Sequence, residues 1–132
     1  MMTSYVGPLE RVTEKNSCFR KVLFTTGRSQ LVVMSLLPGE DIGEETHADV
    51  DQFFRVEAGH GQVVLNKTKV HALGPGDAVV VPAGVIHNVV NTSAKLLLKL
   101  YSIYTPPEHA DGLVQRTKPD DGLLDAARTM DA

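Results

Sequence analysis

Gly76-Asp77-Ala78-Val79-Val80-Val81-Pro82-Ala83-Gly84-Val85-Ile86-His87-Asn88-Val89-Val90-Asn91 sets runs of β-branched residues on either side of a Pro-Ala-Gly break. Proline presets its own φ, and glycine takes positive φ cheaply. The stretch therefore reads as strand, tight turn, strand, with strands over Ala78–Val81 and His87–Asn91. Side chains alternate along a strand, so His87, Val89 and Asn91 share one face. An imidazole and a carboxamide on the same face as a core valine must find polar partners inside, because burying them unpaired costs several kcal/mol.

The same punctuation extends outward in both directions. Pro38-Gly39, Gly59-His60-Gly61, Asn66-Lys67-Thr68 and Gly74-Pro75-Gly76-Asp77 separate short runs rich in Val, Leu, Phe and Ile. These predict strands at 17–25, 30–37, 44–47, 52–57, 61–65, 69–73 and 95–104, besides the two above. Many short strands joined by tight turns imply an all-β barrel or sandwich. Gly39, Gly59, Gly76 and Gly84 are expected at turn positions that demand glycine. After Tyr104 the pattern changes. Thr105-Pro106-Pro107-Glu108-His109 cannot continue a central strand, and Leu123, Leu124, Ala127 and Met130 predict a short amphipathic helix or a frayed end over 120–130.

Parity then nominates interior polar residues. In Gln52-Phe53-Phe54-Arg55-Val56-Glu57, Arg55 and Glu57 are expected to face water, so Gln52, Phe54 and Val56 face inward. Asp51 shares the outward face of Arg55. Glu45 and His47 are two apart and share a face of their strand. Glu45, His47, Gln52 and His87 are thus candidates to converge inside a barrel, where a divalent metal ion would satisfy all four.

The second segment fits G-x5-P-x-G-x2-H-x3-N at every fixed position, and Gly39 to Gly59 keeps the spacing G-x5-E-x-H-x4-Q-x6-G. These are the spacings of the two cupin motifs. The chain resembles a small single-domain cupin, of the kind often grouped with mannose-6-phosphate isomerase-like proteins, over about residues 30–104. The resemblance implies a double-stranded β-helix (jelly-roll) barrel with a short C-terminal tail or helix over 105–132, and one domain over 1–132. It also implies one divalent transition metal ion, with the ligand positions falling on Glu45, His47, Gln52 and His87. The carboxylate stands in the first ligand position rather than the third, and a neutral glutamine takes its usual place. A site with one carboxylate and two imidazoles suits Mn, Fe, Ni or Zn.

Two function classes follow. One is a metal-dependent enzyme, of isomerase, lyase or dioxygenase type, acting on a small metabolite in the barrel pocket. The other is a non-catalytic cupin that binds a sugar or carboxylate, with Glu45 and Gln52 hydrogen-bonded to each other and no metal. A phosphosugar substrate would need convergent cations, whereas Arg20, Lys21, Lys67, Lys69, Lys95 and Lys99 read as outward or turn positions. Tyr104 and His109 are the candidates for proton transfer. If Lys99 faces out, Leu98, Leu100, Ser102 and Tyr104 face in, and a tail folding over the barrel mouth would bring in His109. His60 and His71 read as surface histidines. Phe53, outward by parity, suggests a homodimer surface. Cys18 reads as a small apolar residue in the first strand.

Composition bounds the rest. The 132 residues hold 13 Lys+Arg against 16 Asp+Glu, for a net charge of −3. That balance carries no nucleic-acid footprint, and one cysteine makes no disulfide framework. The apolar runs 31–37 and 78–81 fall far short of the ~20 residues of a membrane helix. Met1 to Pro8 lack a secretory pattern, so the sequons at Asn66 and Asn91 read as coincidence. The expected setting is cytoplasmic, with a small-molecule ligand and neither nucleic acid nor membrane as partner.

Overall fold

A computed structural model of the chain describes residues 3–119. The predicted helix over 120–130 lies outside the described residues. The elements, in chain order, are α1 (Leu9–Lys15), β1 (Arg20–Thr25), β2 (Gln30–Leu36), β3 (Asp51–Ala58), β4 (Gly61–Leu65), β5 (Lys69–Leu73), β6 (Ala78–Val81), β7 (His87–Asn91), β8 (Leu98–Thr105) and β9 (Val114–Gln115). They form a six-stranded sheet, β6-β3-β8-β2-β1-β9, facing a three-stranded sheet, β5-β4-β7. All the strand pairs are antiparallel. This is the all-β jelly roll that the motifs imply. No helix among the described residues is long and apolar enough to cross a membrane.

The core lies between the sheets. Val32, Met34, Leu36, Phe54, Val56, Leu98 and Leu100 from the larger sheet meet Val63, Leu73 and Val89 from the smaller one. Inward parity holds on β3 and β8, where Gln52, Phe54, Val56, Leu98, Leu100, Ser102 and Tyr104 are all buried. Gly39, Gly59, Gly76 and Gly84 all have positive φ. At Gly59 a second constraint applies, since a Cβ there would lie 2.3 Å from the Leu97 carbonyl oxygen. Only glycine lets the β3–β4 hairpin pass this close to β8.

Four expectations are corrected. Residues 44–47 do not form a strand: the segment touches β7 through single bridges at Asp41–Val90 and Glu45–His87. Gly43, at φ +92° between those bridges, interrupts the ladder. The first strand begins at Arg20 rather than at residue 17, because Asn16 turns the chain there, accepting from the Cys18 N–H and donating to the Cys18 carbonyl. Cys18 therefore precedes β1. Lys99 does face outward, yet it is buried, since α1 packs on the outer face of β3 and β8. Its ammonium donates to the Asn16 carbonyl, and burial lowers its pKa. Finally, Glu57 does not face water freely, its side chain being only 6% exposed and paired with Arg55.

Beyond α1, the outer face carries the cross-strand row Val80, Phe53, Ile103 and Leu31. Phe53 is half-buried against Tyr101, and Val80 is 68% exposed. After β8 the tail crosses the open end of the barrel. Gln30 holds it there, its amide oxygen accepting from the Glu108 and His109 N–H groups while its amide nitrogen donates to the His109 carbonyl. The tail then runs as β9 alongside β1, pairing Gln115 with Arg20.

Candidate metal centre

β7 supplies the most constrained member of the site. His87 is 1% exposed, and its Nδ1 lies 3.0 Å from the Val85 carbonyl oxygen. A carbonyl only accepts, so Nδ1 carries the proton, and in the neutral form of the ring Nε2 presents a lone pair. That lone pair faces Gln52 Oε1 at 3.1 Å, while the Gln52 amide nitrogen donates to Ser102 Oγ. Two acceptors this close repel unless a proton or a metal ion sits against both.

Glu45 is placed by a reciprocal backbone pair with His87, each N–H donating to the other's carbonyl. Its Oε1 lies 3.6 Å from His47 Nε2 and 3.7 Å from His87 Nε2. Both Glu45 Oε1 and His47 Nε2 are buried without a hydrogen-bond partner. Ligands held at ~2.0–2.2 Å around one ion stand about 3.0–3.4 Å apart at adjacent vertices. The observed spacings are of that order, and ligand atoms of Glu45, His47 and His87 all lie within 4.8 Å of one another. The donor set, one carboxylate and two imidazoles, is one that could hold a transition metal.

The tail and β1 supply further side chains against the site. Glu108 Oε2 lies 3.6 Å from His47 Nδ1, the nitrogen turned away from the other donors. This contact favours the tautomer that leaves Nε2 unprotonated. The Tyr104 ring stands 6.1 Å from that of His47 and edge-on to His109 at 4.9 Å. Burial pushes the Tyr104 phenol up to about 12, with Arg20 and a bond to Ser102 opposing and Glu45 and Glu108 adding to the rise. Burial also pushes His109 down to about 4, reinforced by Arg20 and His47. At neutral pH Tyr104 is a proton donor and His109 a neutral ring.

The structure thus brings together Glu45, His47, Gln52 and His87, with Tyr104 and His109 beside them, and it leaves His60 and His71 exposed. The hydrogen bond between Glu45 and Gln52 that the metal-free alternative calls for is not formed, Gln52 being engaged by His87 and Ser102. The sequence reading of Arg20 as outward is overturned. Arg20 is buried, its Nη2 4.0 Å from Glu45 Oε2 and its Nη1 donating to Gln115. Parity on β1 carries that signal, since Val22 is buried and Lys21 exposed. No local pattern marks Glu108, which reaches the site only because of the tail's path. Asp51 is exposed and fixes the turn before His87, accepting from the Ala83 N–H. Asn91, fully buried, donates to the carbonyls of Leu36, Leu37 and Leu96 and so serves as a structural tie.

Known proteins are similar to this chain in sequence and fold. The family model for the cupin domain matches residues 32–104. The uncharacterized protein YrkC of Bacillus subtilis is 47% identical over 121 residues, covering 88% of this chain and 64% of that protein. This chain thus spans under two thirds of that relative's length. The uncharacterized protein L612 of Acanthamoeba polyphaga mimivirus is 41% identical over 120 residues, covering 89% of this chain and 75% of that protein. The crystal structure of BH2720 from Bacillus halodurans superposes with a TM-score of 0.85 at 41% identity, covering 97% of this chain and 94% of that one. The motif spacing, the two facing sheets and the family match agree, and the chain belongs to the cupins.

Proposed function

We propose that this cupin holds one divalent transition metal ion, of the Mn, Fe, Ni or Zn group, at Glu45, His47, Gln52 and His87, and acts as an enzyme on a small metabolite in the barrel. The observation that carries this reading is the orphaned donor set. Glu45 Oε1 and His47 Nε2 are buried with no partner, and His87 Nε2, 3.1 Å from Gln52 Oε1, lies within 3.7 Å of Glu45 Oε1. One bound ion would satisfy all four atoms. When bound, it supplies a Lewis acid suited to isomerase or lyase chemistry, or dioxygen chemistry if it is iron.

The chain's own residues do the rest. Glu108 orients His47 through Nδ1, Val85 orients His87, and Ser102 orients Gln52. Tyr104, held protonated, can donate a proton from the inner wall. The tail, latched by Gln30, shields the site from water. The apolar row Val80, Phe53, Ile103 and Leu31 fits a homodimer contact, which sedimentation velocity of the wild type and of Phe53→Glu would test.

The deciding experiment is elemental mass spectrometry on protein purified without a histidine tag. About one equivalent of a single transition metal is expected, whereas less than about a tenth, unchanged after reconstitution, would overturn the metal reading.

A further inference from the structure

Arg20 is a buried cation with spare donors. Its side chain is 7% exposed, its Nε is buried with no partner, and Nη2 stands 4.0 Å from Glu45, beyond hydrogen-bond reach. Only Nη1 is firmly engaged, donating to Gln115 at 2.7 Å. A guanidinium with unused N–H groups in so dry a place is costly unless an anion completes it. His109 adds a second orphan. Its Nε2 is also buried without a partner, although its backbone is held on both sides by Gln30. Among the described residues, Arg20 Nε, Glu45 Oε1, His47 Nε2 and His109 Nε2 make up four of the six buried side-chain polar atoms lacking a partner. All four belong to this one end of the barrel.

Resting on the metal reading above, we infer that Arg20 and His109 form an anion subsite beside the metal that recognises the carboxylate of a small organic-acid monoanion. Both residues lie outside the segment 32–104 that the family model matches, so the family pattern does not assign them. Charge bookkeeping favours a monoanion. A divalent ion and Arg20 bring three positive charges, against one negative charge each from Glu45 and Glu108. The excess of one is what a single carboxylate offsets, and the planar guanidinium fork matches its two oxygens. A phosphate dianion would overshoot that balance, and Lys21, Lys67, Lys69 and Lys95 are exposed while Lys99 is tied to Asn16 on the outer face. No other cation from that set is placed to help Arg20.

The test is calorimetric binding of glycolate and of its neutral amide, glycolamide, to the full chain, metal-loaded and metal-free. Glycolate is expected to bind the loaded protein at least about tenfold more tightly than glycolamide. Arg20→Gln should erase that preference while metal content stays at the wild-type level. Arg20→Lys, which keeps the charge but loses the fork, should recover part of it, and His109→Leu should weaken glycolate alone. An unchanged preference in Arg20→Gln, in protein that melts like wild type, overturns the subsite, as does saturation by inorganic phosphate in preference to glycolate. Failure of the metal reading is distinguishable. Metal-free wild type that still prefers glycolate, with Arg20→Gln losing the preference, keeps the subsite and removes only the metal.

Discussion

The site is built from two regions of different character. Residues 39–91 supply every candidate metal donor, through turns of fixed length and strands of fixed parity. Residues 18–22 and 105–116 supply Arg20, Glu108 and His109, through contacts that span most of the chain, such as the Arg20–Gln115 hydrogen bond. The first region brings together Glu45, His47 and His87, a group that could hold an ion. The second places Arg20, Glu108 and His109 against them. A donor set can therefore persist while specificity is rewritten in the flanks, and fold membership alone does not name the substrate.

The sharpest way to break this division is to remove one donor from the first region. His47→Ala or His87→Ala is expected to abolish stoichiometric metal by elemental analysis, whereas Arg20→Gln retains it. Full-affinity binding in either histidine variant would sink the assignment. Next in size is Asn91→Ala, which strips three backbone carbonyls of their donor. With the partners left buried, about 3 kcal/mol of stability should be lost in urea denaturation.

In the flanks, Gln30→Leu removes the latch and should cost about 2 kcal/mol locally. Hydrogen exchange at residues 108–115 should accelerate while the exchange of β7 and the metal content stay unchanged; accelerated exchange in both regions would mean that the two do not separate. Within the donor set, Gln52→Glu adds a negative ligand and should tighten metal binding by about tenfold. Weaker binding would show that Gln52 does not point at the ion.

The smallest effect is the pH dependence of the cap. His109 in the fold takes a proton only near pH 4, against about 6.5 in an unfolded chain. The unfolded tail binds more protons in between, so the stability contributed by neutral His109 is present above pH 6.5 and lost as pH falls toward 4. Burial is the largest cause, and neighbouring Arg20 and His47 oppose its protonation further. Exchange of the Glu108 and His109 amides, corrected for intrinsic rate, should rise between pH 7 and pH 5 in wild type and not in His109→Gln.

Legibility in the sequence follows the same division. β4 to β7 were readable to the residue, because each is bounded by Gly, Pro or Asn whose turn chemistry is local. Glu45, His47 and His87, which the structure brings together, were nominated by local motif spacing, although the strand parity invoked for Glu45 and His47 does not apply, since 44–47 is not a strand. α1 was not, since Leu9–Lys15 has no side-chain cap and buries only Thr13 against β3 and β8. Glu108 was not, because nothing near it in sequence encodes the Gln30 latch. Arg20 was readable and misjudged: its alternation with Val22 pointed inward, and the usual exposure of arginine argued the other way.

β9 is two residues long, yet it lies along β1 at what would otherwise be a free margin of the larger sheet. An uncovered margin presents a row of unsatisfied N–H and C=O groups, a template on which another chain can add a strand. The segment that closes the pocket therefore also guards against self-templated aggregation. Traffic into the barrel is safest if it bends only residues 105–110 and leaves 113–116 paired. A variant that frees the whole segment would be expected to fail first by precipitating, and only afterwards by losing selectivity.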